Sequence, residues 1–157
     1  MRLWHYDLLE VLPNPQLVSQ KRECDMILKL YLLQNERKVK SNIIDYVYKY
    51  PLYDTFIYYY KLMLLFKSKN YNFGMTYMNI LLDKYNFKFD SKYKPYKDHH
   101  NYLYLTICYY NLYEKYLRNQ KHFDIETWNN INKLYKKKFK YCIINYKLGG
   151  LNNDLEK

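Results

Sequence analysis

Residues 54–69 read DTFIYYYKLMLLFKSK, and this stretch decides the fold. Aromatic and aliphatic side chains occupy most angular positions around a helix of about 3.6 residues per turn, so the segment is a helix buried over most of its circumference. Upstream it is limited at Tyr50-Pro51, because the residue before a proline avoids helical backbone. Downstream, NYNFG at 70–74 stops it. A central helix is therefore predicted from about Leu52 to Lys69.

Working outward, Asn14 and Pro15 form a helix start, and Leu17, Lys21, Cys24, Leu28 and Tyr31 follow at helical spacing, predicting a first helix over about 15–34. Residues 35–50 are mixed and polar. After the central helix, MTYMNILLDKY predicts a shorter one. NFKFDSKYKPYKD at 86–98 has no helical face and contains Pro95, so it reads as an extended loop. A further long helix is expected from near Asp98 through HHNYLYLTICYYNLYEKYLRN to about Asn119. Asp124 can cap the next, IETWNNINKLYKKKFKY, which should end by Gly149-Gly150. No repeat or strand pattern is evident. The expected class is all-α: one compact domain over residues 1–150, built of three long helices with shorter helices and loops, and a frayed tail at 151–157.

At 157 residues the chain can bury about two thirds of its unfolded surface without staples. Cys24, Cys108 and Cys142 are odd in number and far apart, which argues against a disulfide framework or a zinc ribbon. No apolar run reaches the roughly 18 residues of a membrane span, and Arg2, Asp7 and Glu10 stand where a signal peptide needs an apolar core. An intracellular, monomeric protein with no membrane association is expected.

Alanine is absent, and 22 of the 26 basic residues are lysine, a pattern that suggests an A+T-rich coding sequence. Arginines that persist under such pressure are informative, because a guanidinium grips carboxylates and phosphates with a planar fork that lysine lacks. Arg2 and Arg22 both fall in the first 23 residues. The 23 tyrosines, by the same reasoning, are weak signals. Net charge is +11, and residues 61–157 hold 18 basic against 8 acidic side chains. Such a field points to a polyanion, most often nucleic acid, although a lysine-rich surface inherited from codon bias gives the same text.

On the first helix Gln16, Gln20 and Glu23 fall at i, i+4 and i+7, with Arg22 about 100° from Glu23. This sets one carboxylate among hydrogen-bond donors and a guanidinium, or else it is an ordinary solvated face. His99-His100, with His5, His122 and Asp98, lack an i, i+4 pair, so no metal site is expected. Nor is a cofactor expected, since the chain has no Gly-rich phosphate loop, no G-x-S-x-G and no cysteine–histidine signature. His5 is placed near the chain start, either as a neighbour of the site or as a capping residue. Near the C-terminus, Lys136, Lys137, Lys138 and Lys140 interleave with Tyr135, Phe139 and Tyr141, resembling a phosphate-tracking helix with aromatic contacts.

Three stretches carry a family resemblance: MRLWHYDLLEVLPNPQLVSQKREC at 1–24, YVYKYPLYDTFIYYYKLM at 46–63 and CYYNLYEKY at 108–116. They resemble the pyrimidine-dimer DNA glycosylases of the phage endonuclease V type, especially a bacterial branch that starts much like MRLWH. The resemblance implies a small helical enzyme that flips a nucleotide from duplex DNA, cleaves its glycosidic bond and nicks the backbone by β-elimination. It further implies that the nucleophile is the α-amine at the chain start, that Arg22-Glu23 matches the arginine and acid/base glutamate of the family, that Lys115 matches a DNA-contacting position, and that Gln16 stands where a polar residue faces the site. Position 2 is Arg where the phage enzyme exposes a small residue, so the amine is expected on Met1. Met26 and Asn111 replace two family arginines. With Arg2, Lys136, Lys137 and Lys140 added as DNA contacts, the expected activity is that of a DNA-repair glycosylase and AP lyase acting on damaged pyrimidines. A non-catalytic basic nucleic-acid-binding domain and a protein-interaction domain remain alternatives.

Overall fold

A computed structural model describes the backbone of residues 2–154 and the side chains of residues 2–140. The described residues contain helices and no strand, in agreement with the all-α expectation. Among the described residues there are five α-helices, α1 (Asn14–Leu33), α2 (Leu52–Ser68), α3 (Thr76–Tyr85), α4 (Tyr102–Leu117) and α5 (Ile125–Asp154), with 3₁₀ segments at Tyr6–Val11 and Asp45–Lys49. None of them is long and apolar enough to cross a membrane. The chain divides into two compact units, Met1–His100 and Asn101–Lys157.

In the first unit α2 is the central element. Six consecutive residues from Asp54 to Tyr59 are buried, followed by Leu62, Met63 and Phe66. α1, α3 and both 3₁₀ segments pack against it. The one carboxylate buried at its start, Asp54, is 2% exposed and accepts the Tyr96 N–H at 2.5 Å and the Tyr93 hydroxyl at 2.9 Å. These bonds compensate its loss of water and tie the 86–98 loop onto α2.

That tie relocates the next helix. Helix α4 starts at Tyr102 and not near Asp98, with the Asn101 side chain accepting the Tyr104 N–H. Tyr96 adopts left-handed backbone (φ 54°), and the His99 and His100 N–H groups bond to the Tyr96 carbonyl instead of entering a helix. His100 is buried. Its Nδ1 accepts the Tyr6 N–H at 3.1 Å, which leaves the proton on Nε2, 2.7 Å from the Tyr46 hydroxyl.

Burial, together with His5 and His99, holds the His100 pKa well below the ordinary value of 6.5. An unfolded chain takes up this proton at higher pH than the folded one. The cluster therefore contributes fully above about pH 6.5, and its contribution is lost as pH falls below that toward the depressed folded value. The urea midpoint is expected to drop between pH 7.5 and pH 5. His100→Gln, which cannot titrate, should flatten that dependence even where it lowers the midpoint overall, and an unchanged slope would refute the assignment.

The second unit is a hairpin of α4 on α5. Trp128 lies among Tyr109, Tyr113 and Tyr116, and Tyr135 stacks on Tyr109 with centroids 3.9 Å apart. Asp124 accepts the Thr127 N–H at 2.8 Å, and this bond holds its carboxyl below the ordinary range, as expected of a helix cap. Contrary to expectation, α5 continues through Gly149-Gly150 to Asp154, taking in part of the tail expected to fray. Glycine weakens a helix by only about 1 kcal/mol relative to alanine, and no proline follows to stop it. Residues 155–157 lie outside the described residues.

Candidate functional site

The N-terminal arm, residues 2–5, lies along α1 and is held there by side chains of α1 and α2. Gln20 is the clamp. It is 1% exposed, its Nε2 donates to the Arg2 carbonyl at 2.8 Å, and its Oε1 accepts the Trp4 N–H at 2.7 Å. From α2 the Tyr58 hydroxyl reaches both Gln20 Oε1 (2.6 Å) and the Trp4 carbonyl (2.9 Å). One turn before Gln20, Gln16 Oε1 accepts the Trp4 indole N–H at 3.2 Å. The Arg2 guanidinium sits 5.9 Å from the centroid of that indole, within cation–π range.

One turn beyond Gln20, Glu23 Oε2 accepts the backbone N–H of Arg2 at 2.9 Å. Burial raises the Glu23 pKa, while the Arg2 N–H, the Gln20 side chain and the Arg2 charge pull it back. The carboxylate is thus half-buried, held by donors and displaced toward the pH at which a general acid or base works best. Among the described residues no group of three His, Cys, Asp or Glu side chains converges as a metal site.

The residues singled out by sequence thus separate. Arg2, Gln16 and Glu23 come together at the arm, and Arg22 is exposed on α1 beside Glu23. Met1 lies outside the described residues. His5 is buried: its Nδ1 accepts the Asp7 N–H at the first 3₁₀ segment and its Nε2 lies 2.6 Å from the His100 carbonyl, so both nitrogens serve the fold. Met26, one turn beyond Arg22, is 45% exposed, and Asn111 donates to the Ile107 carbonyl of its own helix. Gln20, Trp4 and Tyr58 were not predicted as site residues. The i, i+4 spacing of Gln16 and Gln20 was the available signal for the first of them.

Lys115, Lys136, Lys137 and Lys140 belong to the second unit. Lys115 donates to Gln120 Oε1 at 3.1 Å, whereas Lys136, Lys137 and Lys140 are exposed on α5. The aromatics interleaved with them do not share their face. Tyr135 stacks on Tyr109 and lies 3.0 Å from the Thr106 hydroxyl, and Phe139 packs near Tyr102 at 5.4 Å. Both rings, part-buried, pack within the hairpin. The side chain of Tyr141 lies outside the described residues.

Residues 1–79, just over half of the chain, match the family model described as pyrimidine dimer DNA glycosylase. The matched segment contains α1, α2 and every residue of the arm site, and it excludes the stretch at 108–116. No curated protein and no solved structure matches.

Proposed function

The chain belongs to the pyrimidine dimer DNA glycosylase family, and on that premise we propose that it is an intracellular DNA-repair glycosylase with AP-lyase activity on damaged pyrimidines in duplex DNA. The observation that carries the reading is the Glu23 carboxylate seated on the Arg2 backbone N–H at 2.9 Å. Three covalent bonds link the α-amine of residue 1 to that nitrogen, so standard bond lengths keep the amine within about 4 Å of it. In this reading the nucleophile and the carboxylate are tied to one backbone N–H, without any flexible side chain on the amine.

An α-amine has a pKa of about 7.7–8.0, against about 10.4 for lysine, so a useful fraction is neutral at physiological pH. Attack of its lone pair on C1′ forms a C–N bond and expels the base with the bonding electrons. Loss of the amine proton with opening of the sugar ring leaves an iminium. Glu23, across the Arg2 N–H, stabilises that cation and serves in the proton transfers. Removal of a C2′ proton then drives out the 3′-phosphate, which is the β-elimination step. Arg2 and Arg22, with Gln16 at the rim, are assigned to the phosphates and the flipped nucleotide, and Lys115 to a DNA contact from the second unit.

Borohydride trapping on a duplex containing an abasic site tests this. The free chain should give a covalent adduct, and a chain acetylated at its α-amine should give none. An adduct that survives acetylation would exclude the amine. Absence of any adduct while DNA binding is intact would assign the chain instead to non-catalytic nucleic-acid binding.

Arg22 provides a separate check. Arg22→Lys keeps the charge and loses the fork, so turnover should fall about tenfold, the worth of one charge-assisted hydrogen bond, with the salt dependence of binding nearly unchanged. Arg22→Gln should in addition reduce the slope of log K against log salt by about one unit. Wild-type turnover in Arg22→Lys would mean that the guanidinium geometry is not used.

A further inference from the structure

We propose that one face of α5, formed by Asn129, Asn132, Lys133, Lys136, Lys137 and Lys140, is a binding surface for the phosphodiester backbone of nucleic acid that acts irrespective of damage. These six residues line one shallow depression on the helix. The inference rests on the proposed function for the identity of the polyanion, and it extends that reading to a unit outside the matched segment.

The structure separates this face from the rest of the helix. Lys133, Lys136, Lys137 and Lys140 fall at i, i+3, i+4 and i+7, within an arc of about 100°. Lys138 lies about 140° from Lys133 and is not part of it. Trp128, Ile131, Tyr135 and Phe139 occupy roughly the opposite side, where the rings meet α4. Asn132 borders the two sides, its Oδ1 accepting the Tyr109 hydroxyl at 2.9 Å. Between Asn129 and Lys140 the helix has no acidic residue to neutralise the lysines.

Codon bias explains many lysines but not their alignment. The stripe from Lys133 to Lys140 spans about 10 Å of helix axis, the length of about three base-pair steps of duplex. The four lysines are point charges without the planar fork of an arginine, and no aromatic lies on this face to stack a base, so the stripe is suited to phosphate contact. An anionic membrane is disfavoured by the same composition, because interfacial helices insert an apolar side, and here that side packs on α4.

Binding to an undamaged duplex tests the proposal directly, since it needs no chemistry and is read independently of the borohydride adduct. Replacing Lys133, Lys136, Lys137 and Lys140 together by Gln, a good helix former, should reduce the slope of log K against log salt by about three and a half units. An abasic duplex should lose affinity by the same factor, and replacement of the four by Arg should restore the slope. Circular dichroism checks that the helix content is unchanged. An unchanged slope in the Gln variant would overturn the inference, as would loss of binding confined to the abasic duplex. Lysine-dependent binding to phosphatidylserine vesicles without binding to duplex would also overturn it.

Discussion

Glu23→Gln is expected to slow strand nicking by about 10²–10⁴-fold, the range over which a positioned acid/base acts, while the affinity for duplex DNA changes only a few fold. The substitution preserves shape, and the amide oxygen can still accept the Arg2 N–H that Glu23 Oε2 accepts at 2.9 Å. The arm therefore keeps its anchor. What disappears is the negative charge that, in the proposed mechanism, stabilises the iminium and accepts a proton. Because burial raises the Glu23 pKa, the rate of the wild-type protein should fall as pH drops through a value above that of an ordinary glutamate. The variant should lack this limb. Single-turnover nicking of pre-bound abasic duplex across pH, with binding measured in parallel, separates the two effects. If affinity collapses together with the rate, Glu23 is a structural anchor of the arm and not an acid/base.

The parts of this site that sequence revealed are those set by local spacing. Gln16, Gln20 and Glu23 share a stripe because a helix turns by about 100° per residue, which also sets Arg22 about 100° from Glu23; the approach of Arg2 to Glu23 is a tertiary contact that spacing does not encode. Helix α2 was equally legible, since apolar residues all round a segment can be satisfied only by burial on most sides. The burial of Gln20 was not legible, because it depends on an arm 16 residues upstream and on Tyr58, 38 residues downstream. His99 and His100 look like the first turn of a helix in the sequence for the same reason. Their position is set by Tyr6, Tyr46 and Tyr50, partners too distant in the chain for a periodic pattern to register. In the lysine run of α5 helical spacing already separates Lys138 from the four that share a face, and the packing of Tyr135 and Phe139 on α4 shows which side of the helix is turned away from it.

Gln20→Leu should be the most damaging single change at the site that touches no reacting atom. Leucine fits the volume but offers neither donor nor acceptor, so the buried Trp4 N–H and the part-buried Arg2 carbonyl lose their partner on Gln20. The Tyr58 hydroxyl loses Gln20 Oε1 and keeps the Trp4 carbonyl, 2.9 Å away. Leaving the buried Trp4 N–H unpaired costs about 1–3 kcal/mol, with a smaller loss at the part-buried Arg2 carbonyl, against the 5–15 kcal/mol typical of a whole domain. Urea denaturation should report a loss of at least about 1–3 kcal/mol. Whether the clamp also positions the chain start requires a variant that folds. Tyr58→Phe keeps the Gln20 bonds to the arm and removes one hydroxyl, for about 1 kcal/mol. If the arm must be held for the amine to face Glu23, borohydride adduct formation should fall in Tyr58→Phe under conditions where that variant is fully folded, and fall further in any folded fraction of Gln20→Leu. Binding of undamaged duplex should persist in Tyr58→Phe. Full adduct yield in Tyr58→Phe, alongside its expected loss of stability, would show that the clamp serves the fold alone and that the amine finds Glu23 without it.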